Sequence, residues 1–458
     1  MSLFLLIFLL FSNSSYINGL DVPVSRISDD SLLRTKLKDT WLTDTPNSVL
    51  SRRPSIEYLE SGERIEVSAI EGREEFMVIL SRELMNGNVE VDNNPAYPRG
   101  ETGRFPGWAQ GSWTLTRRKD TGAGVLVRIF LRSDQFTYFQ FRPFNGDKCQ
   151  MDVVLYGAYI IRSMPVAVNF DRIYTMQLNE VLRLLEDKFP RRYFEPDPFY
   201  YRDNRRLISQ IRQNLAGLRF SDDGAIDENG NYVYIENLQR QSPASAGLNC
   251  SGFVKWLVDG ILRPVTGARL PVSPLKQPHG ERGSSFTANW EDRRDPYFGL
   301  DWIRNLAARA NETLRSASYS SLDEFEVRSD IFSLIMVNEN RNLVTNSYPG
   351  FLPEAGYGVE GLYPLLYTLA VDDPYTFYLA AVNNEIGSAI TNDNPRGGPR
   401  LRQYYHVAAL VPYFDEYGIF RIAVFESAAE TSFNAFRSRY PGHYINLVKI
   451  PIVNTFNP

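Results

Sequence analysis

The sequence predicts an α+β protein in two parts, a β-rich first domain followed by a domain that mixes helices and strands. Three observations carry this reading. Between Arg64 and Tyr156, short apolar runs are separated by turn-forming residues, the pattern of a sandwich or barrel. Between Met176 and Ile261, apolar residues recur at helical spacing. From Tyr375 to Ile452, strand-like apolar segments return. A length of 458 residues suits two domains of roughly 100–200 residues each, or one with a large insertion.

The elements follow in order. Residues 3 to 11 are uninterruptedly apolar, too few for a membrane helix of ~20 residues but suited to the core of a secretory signal. We assign residues 1–19 to that signal and expect a secreted or periplasmic protein with no integral membrane span beyond it. A buried N-terminal strand or an uncleaved anchor is the alternative. Residues 20–60 are polar and carry Pro23, Pro46 and Pro54, so they read as a lead-in with little regular structure. Arg64–Ile70 alternates polar and apolar residues, as a half-buried strand does. Further strands are expected at Phe76–Leu80, Ser112–Thr116, Gly124–Leu131, Phe136–Phe141 and Met151–Tyr156. The β-rich domain is therefore placed at 61–172 and the second domain at 173–458.

In the second domain, Leu178, Val181, Leu182 and Leu185 share a helix face, as do Leu207, Ile208, Ile211 and Leu215. Phe189 to Tyr201, between them, reads as a linker or docking loop. Residues 301–317 look helical. Strands are expected at Tyr375–Val382, His406–Tyr413, Ile419–Phe425 and Ile445–Ile452, the middle two as a hairpin around Asp415–Gly418.

Net charge is −5, and the short basic runs such as Arg117–Lys119 have acids beside them. Nucleic acid is not an expected partner. No paired Cys-x-x-Cys and no His-Glu-x-x-His exist, so neither a metal nor a cofactor is expected. Gly356-Tyr357-Gly358-Val359-Glu360-Gly361 matches a dinucleotide fingerprint in letters only, because a Pro-Gly loop precedes it and not the strand that the motif needs.

The chain has two cysteines, Cys149 and Cys250. Small residues lead to Cys250, and Val254, Leu257, Val258 and Ile261 then share one face. This puts Cys250 in the first turn of a helix. A helix start favours negative charge, and the thiolate is the nucleophile. Such a cysteine needs a base, and the chain offers His279, His406 and His443. His279 and His443 lie in Pro-Gly turns, whereas His406 begins a predicted core strand, so His406 is the candidate. The plainer reading of Cys250 is a core residue, as helix cysteines in apolar runs usually are. A Cys149–Cys250 disulfide is a further alternative.

Asn249-Cys250-Ser251-Gly252-Phe253-Val254 resembles the Asp-Cys-Ser-Gly-Phe-Val signature of NlpC/P60 cell-wall peptidases. His406-Val407-Ala408 resembles that family's His-Val-Gly strand. The resemblance implies a papain-like catalytic domain with Cys250 as nucleophile and His406 as base. It implies a third polar residue on the following strand, for which Glu426 is the candidate, with Ser427 and Glu430 as weaker choices. It implies substrate contacts from Tyr234 or Tyr232, upstream of the cysteine, and from Ser251. The implied reaction is amide hydrolysis in peptidoglycan stem peptides, without a cofactor. Asn249 stands where the family has Asp, and Ile235-Glu236-Asn237 where it has Gly-Gly. The Cys-to-His interval is longer than the family's, so residues 263–372 are expected to be an insertion. A thiol acyltransferase or lipid-ester hydrolase of the same fold, and a non-catalytic envelope-binding protein, remain as alternatives.

Overall fold

The computed structural model describes residues 21–84, 104–146, 148–184, 191–278, 295–315, 324–328, 336–337, 343–344, 351, 355–383 and 404–458. The expected signal at 1–19 and His279 lie outside the described residues. Helices and large antiparallel sheets are both present, and the chain divides into two compact units at Glu195/Pro196. Among the described residues no helix is long and apolar enough to cross a membrane.

The first unit is one eight-stranded antiparallel sheet in which every strand pairs with its neighbour in sequence. Its strands are β1 (Ser55–Tyr58), β2 (Arg64–Glu71), β3 (Glu75–Arg82), β4 (Trp113–Arg118), β5 (Gly124–Phe130), β6 (Tyr138–Phe144), β7 (Lys148–Leu155) and β8 (Ala158–Val166). In β2, Ile65 and Val67 are fully buried while Arg64, Glu66 and Ser68 beside them are not, so the alternation that announced the strand also gives it one core face.

The lead-in is not irregular, as residues 20–60 had been expected to be. It folds into helices α1 (Ser31–Leu37) and α2 (Pro46–Leu50), and then starts β1. Arg34 explains why. Its side chain is 1% exposed, and it pairs with Asp30 at 2.8 Å. It donates to the Tyr174 and Met176 carbonyls, each at 2.7 Å, and lies 3.4 Å over the Trp113 ring. A cation buried at this depth needs such partners, and these tie the lead-in to residues beyond 172. The first unit accordingly extends past the boundary expected at 172. It takes in α3 (Phe170–Ile173), α4 (Leu178–Arg183) and the short α5 (Arg191–Phe194). The segment read as a linker buries Tyr193, Phe194 and Tyr201.

The second unit begins with α6 (Arg202–Asn214) and a small hairpin of β9 (Ala225–Ile226) and β10 (Tyr232–Val233). Then come α7 (Cys250–Thr266) and α8 (Phe298–Arg315). A two-residue pair, β11 (Met336–Val337) and β12 (Leu343–Val344), is grouped with the first unit. The remaining elements are β13 (Tyr357–Gly358), α9 (Leu362–Asp372), β14 (Thr376–Asn383), β15 (Tyr404–Phe414), β16 (Phe420–Glu426), β17 (Ala429–Thr431), α10 (Phe433–Arg439) and β18 (Tyr444–Pro451). The sheet has six strands in the order β13-β18-β14-β15-β16-β17, all antiparallel.

One apolar cluster joins Phe253, Leu257 and Val258 of α7 and Trp302, Ile303 and Leu306 of α8 to Leu379, Val407, Ala409 and Phe425 of the sheet. Part of the span 263–372, expected to be an insertion relative to the resembled family, therefore packs into this core. The end of α7 and the whole of α8 lie within this span, and α8 is part of the core. The helix α9 is likewise buried through Leu362, Leu366 and Tyr367. The Gly-rich letters at 356–361 also have a packing explanation. Gly356 has φ +95°, and a Cβ there would meet the Ile445 carbonyl oxygen at 2.2 Å.

Candidate active site

The start of α7 is fixed from three directions. Asn249 caps it, its side chain accepting from the Gly252 N–H at 2.7 Å. A cap of this kind satisfies one of the donors that a helix start leaves open. The backbone of Asn249 donates to the Gly224 carbonyl at 3.0 Å. Gly252 must be glycine, since a Cβ there would lie 1.9 Å from the Gly224 oxygen. Farther along, Lys255 is fully buried and donates to the Ile226 carbonyl at 2.7 Å and to Asp259 at 2.6 Å. From the other side, Trp302 donates its indole N–H to the Ser251 carbonyl at 2.8 Å.

His406 is placed by an irregularity in β15. Val382 pairs with His406 and Asn383 with Tyr404, which leaves Tyr405 as an extra residue. Tyr404 and Val407 both enter the core cluster although they are three apart, which an unbroken strand with its period of two does not allow. Such bulges re-aim side chains. The extra residue, Tyr405, is exposed, and His406 is half-buried.

These placements bring His406 close enough to the Cys250 thiol for the imidazole to favour the thiolate. His406 Nε2 lies 2.7 Å from Glu426 Oε2, so Nδ1 is the ring nitrogen left for the thiol. The second oxygen of Glu426 takes the Arg439 guanidinium. Tyr440 stacks on the imidazole, with ring centroids 5.7 Å apart and planes 30° apart.

Burial pushes the Cys250 thiol up, but the His406 hydrogen bond and charge oppose it, as do the Val407 N–H and Ser251. The net result is a thiol held below its ordinary value. Burial raises the Tyr440 phenol to about 12, so Tyr440 meets the imidazole as a neutral ring. The Phe253 N–H, bonded to the Asn249 carbonyl, closes the first turn of α7. The N–H groups of Cys250 and Ser251 precede that bond, so the helix ladder does not consume them.

Of the other candidates, Ser251 is buried and directs its side chain at the Cys250 thiol. Tyr232 packs half-buried against the core, and Tyr234 anchors the turn to Gln239 and Leu238. The tyrosine that meets the dyad is Tyr440, which the sequence reading did not single out. Arg439 was also missed. Neither belongs to a recognisable local pattern, since their partners lie 13 and more residues away. Glu430 pairs with Arg212 at 2.7 Å, and Ser427 sits at the turn after β16 with φ +48°. His443 lies beside Tyr440, its Nδ1 3.1 Å from the Pro441 carbonyl. Cys149 and Cys250 are both free thiols. Among the described residues no group of three or more His, Cys, Asp or Glu is placed to hold a metal ion.

Residues 23–193 match the model of a family described as a domain of unknown function (DUF8515). The match falls within the first unit, ends close to its boundary, and does not include Cys250, His406 or Glu426. No curated protein and no solved structure matches the chain.

Proposed function

We propose that the second unit is a thiol hydrolase with a papain-like domain of the NlpC/P60 kind, acting outside the cytoplasm on amide bonds of peptidoglycan stem peptides. The observation that carries this reading is the relay at the start of α7. A thiol held below its ordinary value faces an imidazole whose far nitrogen is 2.7 Å from a carboxylate. The carboxylate fixes the tautomer and stabilises the imidazolium, as the third member of such a triad does. The choice of wall peptide as substrate rests on the resemblance around Cys250 and His406.

In the reaction, Cys250 Sγ attacks the carbonyl carbon, and its proton resides on His406. The C–N bond breaks as His406 returns that proton to the departing amine, leaving a thioester on Cys250. Water then attacks the thioester, with His406 accepting its proton, and the acid leaves as the thiol is restored. Backbone donors near Cys250 stabilise the oxyanion, each worth roughly 3–4 kcal/mol. Tyr232 and Tyr234, on the segment before the nucleophile, remain the proposed substrate contacts.

The test is release of soluble peptide from purified peptidoglycan by the full chain, followed by mass spectrometry. The expected result is release that falls to background in Cys250→Ala and His406→Ala. Release unchanged by Cys250→Ala, or wall binding without release in the wild type, would overturn the reading in favour of a binding protein.

A further inference from the structure

We propose that Arg439 is a positioning residue of the relay, acting on His406 and Cys250 through Glu426. The proposal rests on the thiolate–imidazolium reading and concerns which group keeps that pair in place.

Glu426 is the last residue of β16, and its side chain is only 5% exposed. One oxygen faces the imidazole and the other faces the guanidinium of Arg439. A carboxylate buried to this degree and held through one oxygen alone would carry an uncompensated charge and be free to rotate about its last torsion. Arg439 removes both difficulties. Its guanidinium is planar and always charged, and it presents donors in a fixed fork. The groups that meet the imidazole or the carboxylate are Cys250 from α7, Arg439 at the end of α10 and Tyr440 just after it, with Tyr405 of β15 and His443 against the Tyr440 ring. Of these neighbours, Arg439 is the permanent cation.

The turn that carries Arg439 is itself held. Ser432 caps α10 by accepting from the Ala435 N–H at 3.1 Å, and Phe436 is fully buried. The Gly442 N–H donates to the Glu360 carboxylate, and the Val359 N–H donates to the His443 carbonyl. Arg439 also lies 5.6 Å over the Tyr440 ring that stacks on His406. One clamped turn therefore meets both the carboxylate and the imidazole.

The experiment is the pH dependence of iodoacetamide alkylation at Cys250 in the full chain, read by mass spectrometry. The variants are Arg439→Gln, Arg439→Lys, Glu426→Gln and the Arg439→Gln/Glu426→Gln double. The proposal expects Arg439→Gln to move the inflection up by about one unit, roughly tenfold less thiolate below it. Arg439→Lys keeps the charge without the fork and should fall between. In the Glu426→Gln background, Arg439→Gln should add little, because its route is already cut. A wild-type inflection in Arg439→Gln, or a full shift added on top of Glu426→Gln, overturns the proposal while the dyad stands. An inflection near ~8.5 in the wild type itself removes the dyad and the proposal together. Thermal melts of each variant separate these outcomes from unfolding, and Arg439→Lys serves if Arg439→Gln does not fold.

Discussion

The two cysteines, one buried on a strand and the other half-buried at a helix start, end with opposite chemistry. Cys149 lies on β7 between Pro143 of β6 and Val166 of β8, fully buried. Burial alone pushes its thiol up to about 11. Cys250 feels burial too, as the largest single influence, yet its thiol ends below the ordinary value. The difference lies in partners: an imidazole, a backbone N–H and a neighbouring serine are aimed at one sulfur and none of these at the other. A low thiol value is built from donors and charge, and exposure by itself does not supply it.

The largest effect that tests this contrast is selective labelling. At pH 7 a thiol with a value of about 11 is ionised about once in ten thousand molecules. Iodoacetamide should therefore modify Cys250 in the native chain and reach Cys149 only after denaturation. Comparable labelling of both in the folded protein would break the contrast.

The next effect is on stability. Gly252→Ala forces a methyl against the Gly224 carbonyl and should cost about 2–3 kcal/mol in a denaturant melt. Cys149→Ser should cost about 1–3 kcal/mol by burying a hydroxyl in an apolar sheet. Cys250→Ala should stay within about 0.5 kcal/mol, since its value is chemical and not structural. Equal costs at the two cysteines would contradict the division of roles.

The pH dependence of these contributions has opposite signs. Cys149 has a raised folded value, so its contribution is present below the unfolded value of ~8.5. That contribution is lost as pH climbs toward about 11. Cys250 has a lowered folded value, so its contribution is present above ~8.5 and lost as pH falls through the folded value. Chemical denaturation of Cys149→Ala and Cys250→Ala between pH 7 and 10 should show the two differences from wild type changing in opposite directions.

The smallest effect is at the cap. Asn249→Ala should cost about 1 kcal/mol. Asn249→Asp keeps an acceptor for the Gly252 N–H and should change stability by only a few tenths of a kcal/mol. An aspartate that destabilises as much as alanine would mean that the cap is not what holds this turn.

How much of this was legible in the sequence follows from which interactions are local. The alternation in Arg64–Ile70 marks its strand directly, because one face is buried, and the apolar residues at helical spacing after Cys250 mark a helix that is buried all round from Ser251 to Leu262. β8 escaped notice because its pairing with β7 shifts register twice and Ser163 takes φ +51°, which breaks the period of two. The lead-in was misread because its order depends on Arg34 reaching Tyr174 and Met176, about 140 residues away. The packing of α8, within the span 263–372, was not legible because it is recognisable as core only against strands that come later. In the site, the helix-start cysteine and the strand histidine are visible as letters. The bulge at Tyr405, the Arg439 contact and the Tyr440 stack are not, since each is created by pairing between distant segments.

The most direct test of the central claim is the pH profile of Cys250 alkylation in the wild type beside His406→Ala, with Cys149 as internal control. The account predicts a Cys250 thiolate that persists well below ~8.5 in the wild type and is lost in His406→Ala. A Cys250 that resists alkylation in the native chain, or that titrates alike with and without His406, would contradict it.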